Sequence, residues 1–167
     1  MVGDSGASQH MITERSRFLT YWPMDGRVQQ AGKSDSLKAI GQGDCLIEVK
    51  GSSGTTQVLL KGCWHVPDLD QNLFSIRAWS QKESGRHAVF GENCVLRSPK
   101  GSEVAFEADR ASGVYTLTAE FITETREARA YSAMAERPPA AVDNTRLRTN
   151  STLQVWHNRL GHLAQAS

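Results

Sequence analysis

The segment Asp4-Ser5-Gly6, near the start of the chain, has residue types that suit peptide hydrolysis. An aspartate on a tight turn can direct its carboxylate into a cleft, the Ser5 hydroxyl can brace the loop, and Gly6 permits close backbone contact. Two such carboxylates, a few ångströms apart, share one proton and activate a water between them. The chain has a single Asp-Ser-Gly, so the second carboxylate would come from a second copy, in a homodimer. Taken alone, the motif favours an ordinary turn.

His157 and His162 are a possible pair of zinc ligands near the other end of the chain. Zinc takes four ligands, and a five-residue step along one helix turns the second side chain away from the first. A helix that ends at Gly161 would let His162 swing back. No cysteine follows the two histidines, so we expect an incomplete half-site. The alternative to a zinc half-site is an unpaired helix whose Trp156 would pack against a partner.

Length and composition exclude several classes of protein. With 167 residues the chain forms one ordinary domain, or one domain with a tail. Its net charge of +1 argues against a protein that mainly coats nucleic acid or an anionic membrane. No apolar run approaches the length of a membrane span, and the first residues lack a signal peptide, so we expect a cytoplasmic protein. Three widely spaced cysteines, Cys45, Cys63 and Cys94, indicate buried thiols.

Short apolar runs separated by turn residues extend from Leu37 to about Leu117 and predict a mainly β body. Many short strands at close spacing are typical of a small barrel or sandwich. A short helix is predicted over 72–82, and His65, beside Cys63, is predicted to be a core residue. The predicted strands are 45–49, 56–60, a run ending at Val66-Pro67, 88–90, 94–96, 103–106 and 114–117, the first two forming a hairpin.

The composition changes after Leu117. Mixed charges and alanines predict a helix within 120–136, and the polar stretch 140–149 predicts a linker. A last helix begins at Ser151 or Thr152 and ends at Gly161.

Asp4-Ser5-Gly6-Ala7-Ser8-Gln9-His10-Met11 resembles the protease start of copia-type LTR retrotransposon polyproteins, whose hallmark is D-S-G-A-S-x-H-M. Further motifs of this family follow in the same order, which makes the resemblance specific over nearly the whole chain. They are Ile40-Gly41-Gln42-Gly43-Asp44, Val66-Pro67-Asp68-Leu69 with Asn72-Leu73-Phe74-Ser75-Ile76, the strands from Phe90 to Leu117, and Trp156-His157-Asn158-Arg159-Leu160-Gly161-His162-Leu163.

The resemblance implies a fold and a division into domains. The fold would be a small, closed, retropepsin-like β-barrel with extra C-terminal strands, followed by a helical tail. The barrel would cover 1–118, a linker with a possible helix 119–150, and the start of a GAG-pre-integrase or integrase zinc-binding region 151–167. The family's Cys-x-x-Cys pair lies further downstream. The segment 120–150 is also a candidate region for self-cleavage between protease and integrase.

The resemblance further implies an aspartic endopeptidase that acts as a homodimer on a polyprotein peptide. Asp4 would be the catalytic carboxylate, and Ser5 and Gly6 would shape its loop. A mobile hairpin carrying Ile40, Gly41 and Gly43 would cover the substrate, with glycine as the hinge. From glycine content alone, a plain surface hairpin is favoured.

The same resemblance implies the surroundings in which the protein works. No organic cofactor is implied, and Gly32-Lys33-Ser34 lacks the spacing of a phosphate-binding loop. We expect no membrane partner, and the near-neutral charge makes nucleic acid an unlikely partner of this part alone. Activity would peak at mildly acidic pH, where the carboxylate pair holds one proton. An intact element would place the protein in a virus-like particle.

An alternative function is a catalytically inactive remnant, truncated or domesticated, that serves as a binding module. In the resembling family an apolar strand precedes the catalytic aspartate, but here only Met1-Val2-Gly3 does. Gly3 stands where a bulky apolar residue is expected. Loss of that strand would expose a sheet edge and weaken dimerisation. The oligomeric state separates the two functions, because a monomer cannot assemble the carboxylate pair.

Overall fold

The computed structural model describes residues 1–29, 35–51, 54–99, 103–109 and 112–135. The chain divides into two units, Met1–Arg137 and Pro138–Ser167, and every described residue lies in the first. The predicted polar linker over 140–149 lies outside the described residues. So does the predicted last helix with His157 and His162, and these predictions remain untested.

The described residues form a mainly β structure with two α-helices, which confirms the predicted fold class. The helices are α1 (Ile76–Ser80) and α2 (Arg126–Met134). The strands are β1 (Val2–Asp4), β2 (Met11–Ile12), β3 (Trp22–Gln29), β4 (Ser36–Gly51), β5 (Gly54–His65), β6 (Leu73–Ser75), β7 (His87–Phe90), β8 (Cys94–Arg97), β9 (Glu103–Asp109), β10 (Val114–Thr116) and β11 (Ala119–Phe121).

Backbone hydrogen bonds join these strands in one continuous order. The order is β11-β4-β5-β2-β6-β1-β10-β9-β8-β7, and β3 pairs with β4 outside it. The predicted hairpin is confirmed as β4 and β5, in which Ile47 pairs with Val58 and Gly51 with Gly54. Closure of this order into a barrel remains a prediction.

The strand that ends at Asp4 lies inside the sheet. β1 runs parallel to β6, with Asp4 opposite Ser75, and antiparallel to β10, with Gly3 opposite Tyr115. β1 itself is therefore not an edge strand, and the expectation that loss of a preceding strand exposes an edge and weakens dimerisation stays a prediction. Packing explains why glycine occupies position 3, because a Cβ atom on Gly3 would lie 3.0 Å from two ring carbons of Phe106. The ring occupies the space that a bulky residue at this position would need.

Side chains alternate along β4 as a half-buried strand requires. Cys45, Ile47 and Val49 are buried, whereas the residues between them are only half-buried. They pack in a core with Phe74 and Phe106, whose rings meet edge-to-face at 5.2 Å. The three cysteines are free and buried, as predicted.

The predicted helix over 72–82 is only partly correct. Leu73–Ser75 forms β6, because these residues pair with both β1 and β2. Helix α1 starts only at Ile76, where the Ser75 hydroxyl accepts a hydrogen bond from the Ala78 amide at 2.9 Å. Ser75 is thus the N-cap, and the backbone before it is extended.

The predicted helix within 120–136 begins later than expected. Ala119–Phe121 pairs with β4 as β11, so the predicted boundary at residue 118 falls inside the compact unit. Helix α2 begins after Thr125, whose hydroxyl accepts from the Ala128 amide at 3.1 Å. Two side-chain hydrogen bonds then hold the helix in place: the Tyr131 hydroxyl donates to Asp44 Oδ2 at 2.6 Å, and the Ser132 hydroxyl donates to the Leu19 carbonyl oxygen at 2.6 Å.

Candidate functional site

Asp4 is the last residue of β1 and is half-buried. Its Oδ1 accepts hydrogen bonds from the backbone amides of Gly6 at 2.7 Å and Ala7 at 3.1 Å. Its Oδ2 has no hydrogen-bond partner in the described part of the chain. Ser5 and Gly6 form the exposed tip of the loop. The loop therefore fixes the carboxylate through one oxygen and leaves the other for a water, a substrate or a second carboxylate.

The loop that follows Asp4 is held in place by Ser75, which is completely buried. The Ser75 hydroxyl donates to the carbonyl oxygen of Ala7 at 2.6 Å. The Ser5 hydroxyl, which was expected to brace the loop, makes no hydrogen bond to any described residue. In the sequence Ser75 is distinguished only as part of a family motif, which does not reveal this supporting role.

His10 is a second residue whose role the sequence analysis missed. Its side chain is 2% exposed, and its ring meets the Phe74 ring edge-on at 4.8 Å. Burial first, and the nearby positive charge of Lys82 second, lower the pKa of His10 to about 4. Nδ1 of the neutral ring accepts a hydrogen bond from the Ser75 amide at 3.1 Å, so the proton is on Nε2. Its place in D-S-G-A-S-x-H-M was the only signal available in the sequence.

The predicted hairpin with Ile40, Gly41 and Gly43 exists as β3 paired with β4. Ile40 is exposed, and residues 30–34, between the two strands, lie outside the described residues. In the order of pairing, β5, β2 and β6 separate β4 from β1. The structure shows no hydrogen bond between these three residues and Asp4. That the hairpin covers a substrate remains a prediction.

Gly41 and Gly43 are needed for close packing. A Cβ atom on Gly43 would lie 1.9 Å from the carbonyl oxygen of Thr20, far inside the limit of contact. A Cβ atom on Gly41 would lie 2.2 Å from the ring and the hydroxyl of Tyr21. The segment Thr20-Tyr21 thus lies directly against β4, and both glycines have a structural role apart from any hinge.

Tyr21 is held against Gly41 by His65. The Tyr21 hydroxyl lies 2.9 Å from His65 Nδ1, and His65 Nε2 lies 3.2 Å from the carbonyl oxygen of Thr13. A carbonyl only accepts, so Nε2 carries the proton and Nδ1 accepts from Tyr21. Burial lowers the pKa of His65, which favours this neutral form. The prediction that His65 is a core residue is confirmed.

Among the described residues, no group of three or more histidine, cysteine or acidic side chains is arranged to hold a metal ion. None of the helices in that part of the chain is long and apolar enough to cross a membrane. His157 and His162 lie outside it, so the predicted zinc half-site is untested.

A comparison with family models matches residues 1–84 of the chain to the Pol polyprotein, beta-barrel domain. No match is found among the curated proteins. The matched segment contains Asp4, His10 and Ser75, together with the β3–β4 hairpin and the β4–β5 hairpin. With half of its length matched, from β1 through α1, this chain belongs to the family of Pol polyprotein β-barrel domains.

Proposed function

We propose that this chain is an aspartic endopeptidase from a copia-type retrotransposon polyprotein, with Asp4 as its catalytic carboxylate. The observation that carries the proposal is the half-bound carboxylate: Oδ1 is fixed by two backbone amides, and Oδ2 has no hydrogen-bond partner among the described residues. Family membership supports the origin in a Pol polyprotein.

The proposed chemistry needs two copies of the chain. Two facing Asp4 carboxylates would hold one proton between them and bind a water. The ionised carboxylate would take a proton from the water as its oxygen attacks the peptide carbonyl, and the protonated one would hydrogen-bond to the carbonyl oxygen. Collapse of the tetrahedral intermediate would break the C–N bond, with a proton passing to the leaving amine.

The surroundings of Asp4 suit this chemistry. Ser5 and Gly6 are at the exposed tip of the loop, where a second copy can reach them. Ile40 presents an exposed apolar side chain on the β3–β4 hairpin, suited to contact with a peptide side chain. We propose that this hairpin covers the substrate in the dimer.

The remaining parts of the proposal concern context. The substrate would be the polyprotein itself, with a cleavage site within 120–150. The segment 151–167, with His157 and His162, would begin a GAG-pre-integrase or integrase zinc-binding region. The protein would act in the cytoplasm, or in a virus-like particle of an intact element.

Cleavage in trans tests the proposal directly. A synthetic peptide with the sequence of residues 120–150 serves as the substrate at mildly acidic pH, and mass spectrometry locates the cleaved bond. Asparagine keeps the oxygen that accepts from Gly6 and Ala7, so the variant should fold. The matched control is Asp70→Asn, which removes an exposed carboxylate elsewhere. We expect cleavage by the wild-type and Asp70→Asn chains, and none by Asp4→Asn alone.

Mixing the chains tests the shared site. Where dimerisation is saturated, a ninefold excess of Asp4→Asn should reduce cleavage by a fixed amount of wild type to about one tenth, because most wild-type copies then pair with an inactive partner. Cleavage that Asp4→Asn retains would overturn the assignment of Asp4. A folded wild-type chain that stays monomeric and cuts nothing would instead favour the binding module.

A further inference from the structure

A cleft of about 380 Å³ lies between β5 and α1, and its described lining does not include Asp4, Ser5 or Gly6. Neither the proposed mechanism nor the family resemblance involves this cleft. Three of the described side chains that line it are cationic: Lys61 on β5, Lys82 just after α1, and Arg86. No acidic side chain is among the described residues that line it. The whole chain has 19 basic and 18 acidic residues, so this excess of positive charge is local.

Arg86 is held in place before any ligand arrives. Its guanidinium lies over the ring of Trp79, 4.9 Å from the centroid, and donates to the Trp79 carbonyl oxygen at 3.3 Å. A salt bridge to Glu83 at 3.0 Å fixes it from the other side. Its Nε is buried and has no acceptor among the described residues. Nε itself is closed to the cleft, so an oxyanion there would be attracted by the charge of the fixed guanidinium as a whole.

Lys61 and Lys82 supply charge that the protein does not compensate. Both are exposed, and neither forms a salt bridge with any described residue. They come from two different elements and line the same volume as Arg86. Two free ammonium groups beside a fixed guanidinium form a site for a compact ligand with several negative charges.

We propose that this basic cleft binds a phosphate-bearing ligand, either a free nucleotide or the backbone of a polynucleotide. A diphosphate places several charges within a volume of this size, whereas an extended acidic peptide places successive carboxylates on opposite faces, so that those on one face are about 6–7 Å apart. Planar guanidinium matches phosphate oxygens in pairs. The near-neutral net charge predicted that nucleic acid is not a partner, but the distribution of charge creates this basic cleft.

Calorimetric titration of the full chain at low salt tests the proposal. The probes are pyrophosphate, ATP, a single-stranded oligonucleotide and a poly-glutamate peptide. The double variant Lys61→Gln/Lys82→Gln removes two charges from the cleft. The matched control, Lys38→Gln/Lys50→Gln, removes two charges elsewhere on the surface. All these lysines are surface residues, so the fold should survive, which circular dichroism verifies.

We expect pyrophosphate to bind, and the cleft variant to weaken binding at least about tenfold, the order of one lost charge-assisted contact. The control should stay within about twofold of wild type. A preference for ATP over the oligonucleotide would identify a free nucleotide as the source, and the reverse a polynucleotide. Three results would overturn the proposal: no phosphate probe binds the folded chain, the control loses as much affinity as the cleft variant, or only poly-glutamate binds.

Discussion

The buried histidine beneath the proposed catalytic loop makes the stability of this protein depend on pH. His10 is buried, and its Nδ1 accepts from the Ser75 amide only while the ring is neutral. Burial first, and the positive charge of Lys82 second, lower the pKa of His10 to about 4 from the usual 6.5. Between about pH 6.5 and pH 4, His10 therefore binds a proton in the unfolded chain but not in the folded chain. Stability falls as pH drops from 6.5 towards 4 and levels off below that.

The size of this effect follows from the difference in pKa. Because the pKa of His10 falls from 6.5 to about 4 on folding, the free energy of unfolding decreases by about 3 kcal/mol once both states are protonated. At about pH 5 the unfolded histidine is almost fully protonated and the folded one almost neutral, so about 2 kcal/mol is lost relative to pH 7.5. Proteins of this size have only about 5–15 kcal/mol of stability in total, so the loss is substantial.

Urea unfolding at about pH 7.5 and pH 5 measures this contribution. The variant His10→Asn keeps a side-chain oxygen near the position of Nδ1, and so an acceptor for the Ser75 amide. It does not take up a proton. Its stability should therefore fall by about 2 kcal/mol less than that of wild type between the two pH values. The control His87→Asn changes an exposed histidine and should match wild type.

Equal pH dependence in wild type and His10→Asn would refute the reasoning, because carboxylates would then account for the whole effect. A wild-type chain that becomes more stable between pH 7.5 and pH 5 would also contradict it. The test has a bearing on catalysis as well. The mildly acidic pH that suits a carboxylate pair is the range in which the folded protein loses stability, while His10 in the folded state stays neutral and keeps its bond to Ser75.

Two further predictions concern packing around β4. Gly43→Ala should cost more than about 3 kcal/mol or prevent folding, because its Cβ would lie 1.9 Å from the Thr20 carbonyl oxygen. Gly91→Ala should change stability by less than about 1 kcal/mol, because its Cβ would only make an ordinary contact with the Asn93 carbonyl oxygen at 3.9 Å. Thermal unfolding compares the two variants, and a fully stable Gly43→Ala would show that Thr20 does not lie there. Tyr131→Phe should cost about 1 kcal/mol, since the hydroxyl donates to Asp44 Oδ2 at 2.6 Å. Burial and the Asp44 carboxylate raise the pKa of Tyr131, so this bond persists through alkaline pH, and an unchanged urea midpoint in the variant would contradict it.

The longer strands could be predicted because their own residues contain the pattern. β4 alternates buried and half-buried side chains up to a glycine turn, β5 follows that turn, and β7 to β10 are separated by turn residues. β1, β2 and β6 have two or three residues each, too few to show a period. They are strands because they pair with one another and with longer strands. That information is not local, and the segment at β6 was predicted as helix for this reason.

The candidate site divides in the same way. Asp4 could be singled out as a candidate because the loop that holds its carboxylate is local: the donors to Oδ1 are the amides of Gly6 and Ala7, in the same sequence motif. His10 and Ser75 are 65 residues apart in the chain. The sequence alone does not show that His10 Nδ1 accepts a hydrogen bond from the Ser75 amide. The close approach of Thr20 to Gly43 is likewise a tertiary contact, so the glycine was interpreted as a hinge.

The position of β1 within the sheet sets the order in which the proposed active site can form during synthesis. Asp4 leaves the ribosome before β10, one of the two neighbours of its strand, which begins only at Val114. A nascent chain therefore carries its proposed catalytic carboxylate unassembled until about 110 further residues have emerged. Such distant pairing slows folding. A polyprotein built this way would stay uncut during the early part of its own translation.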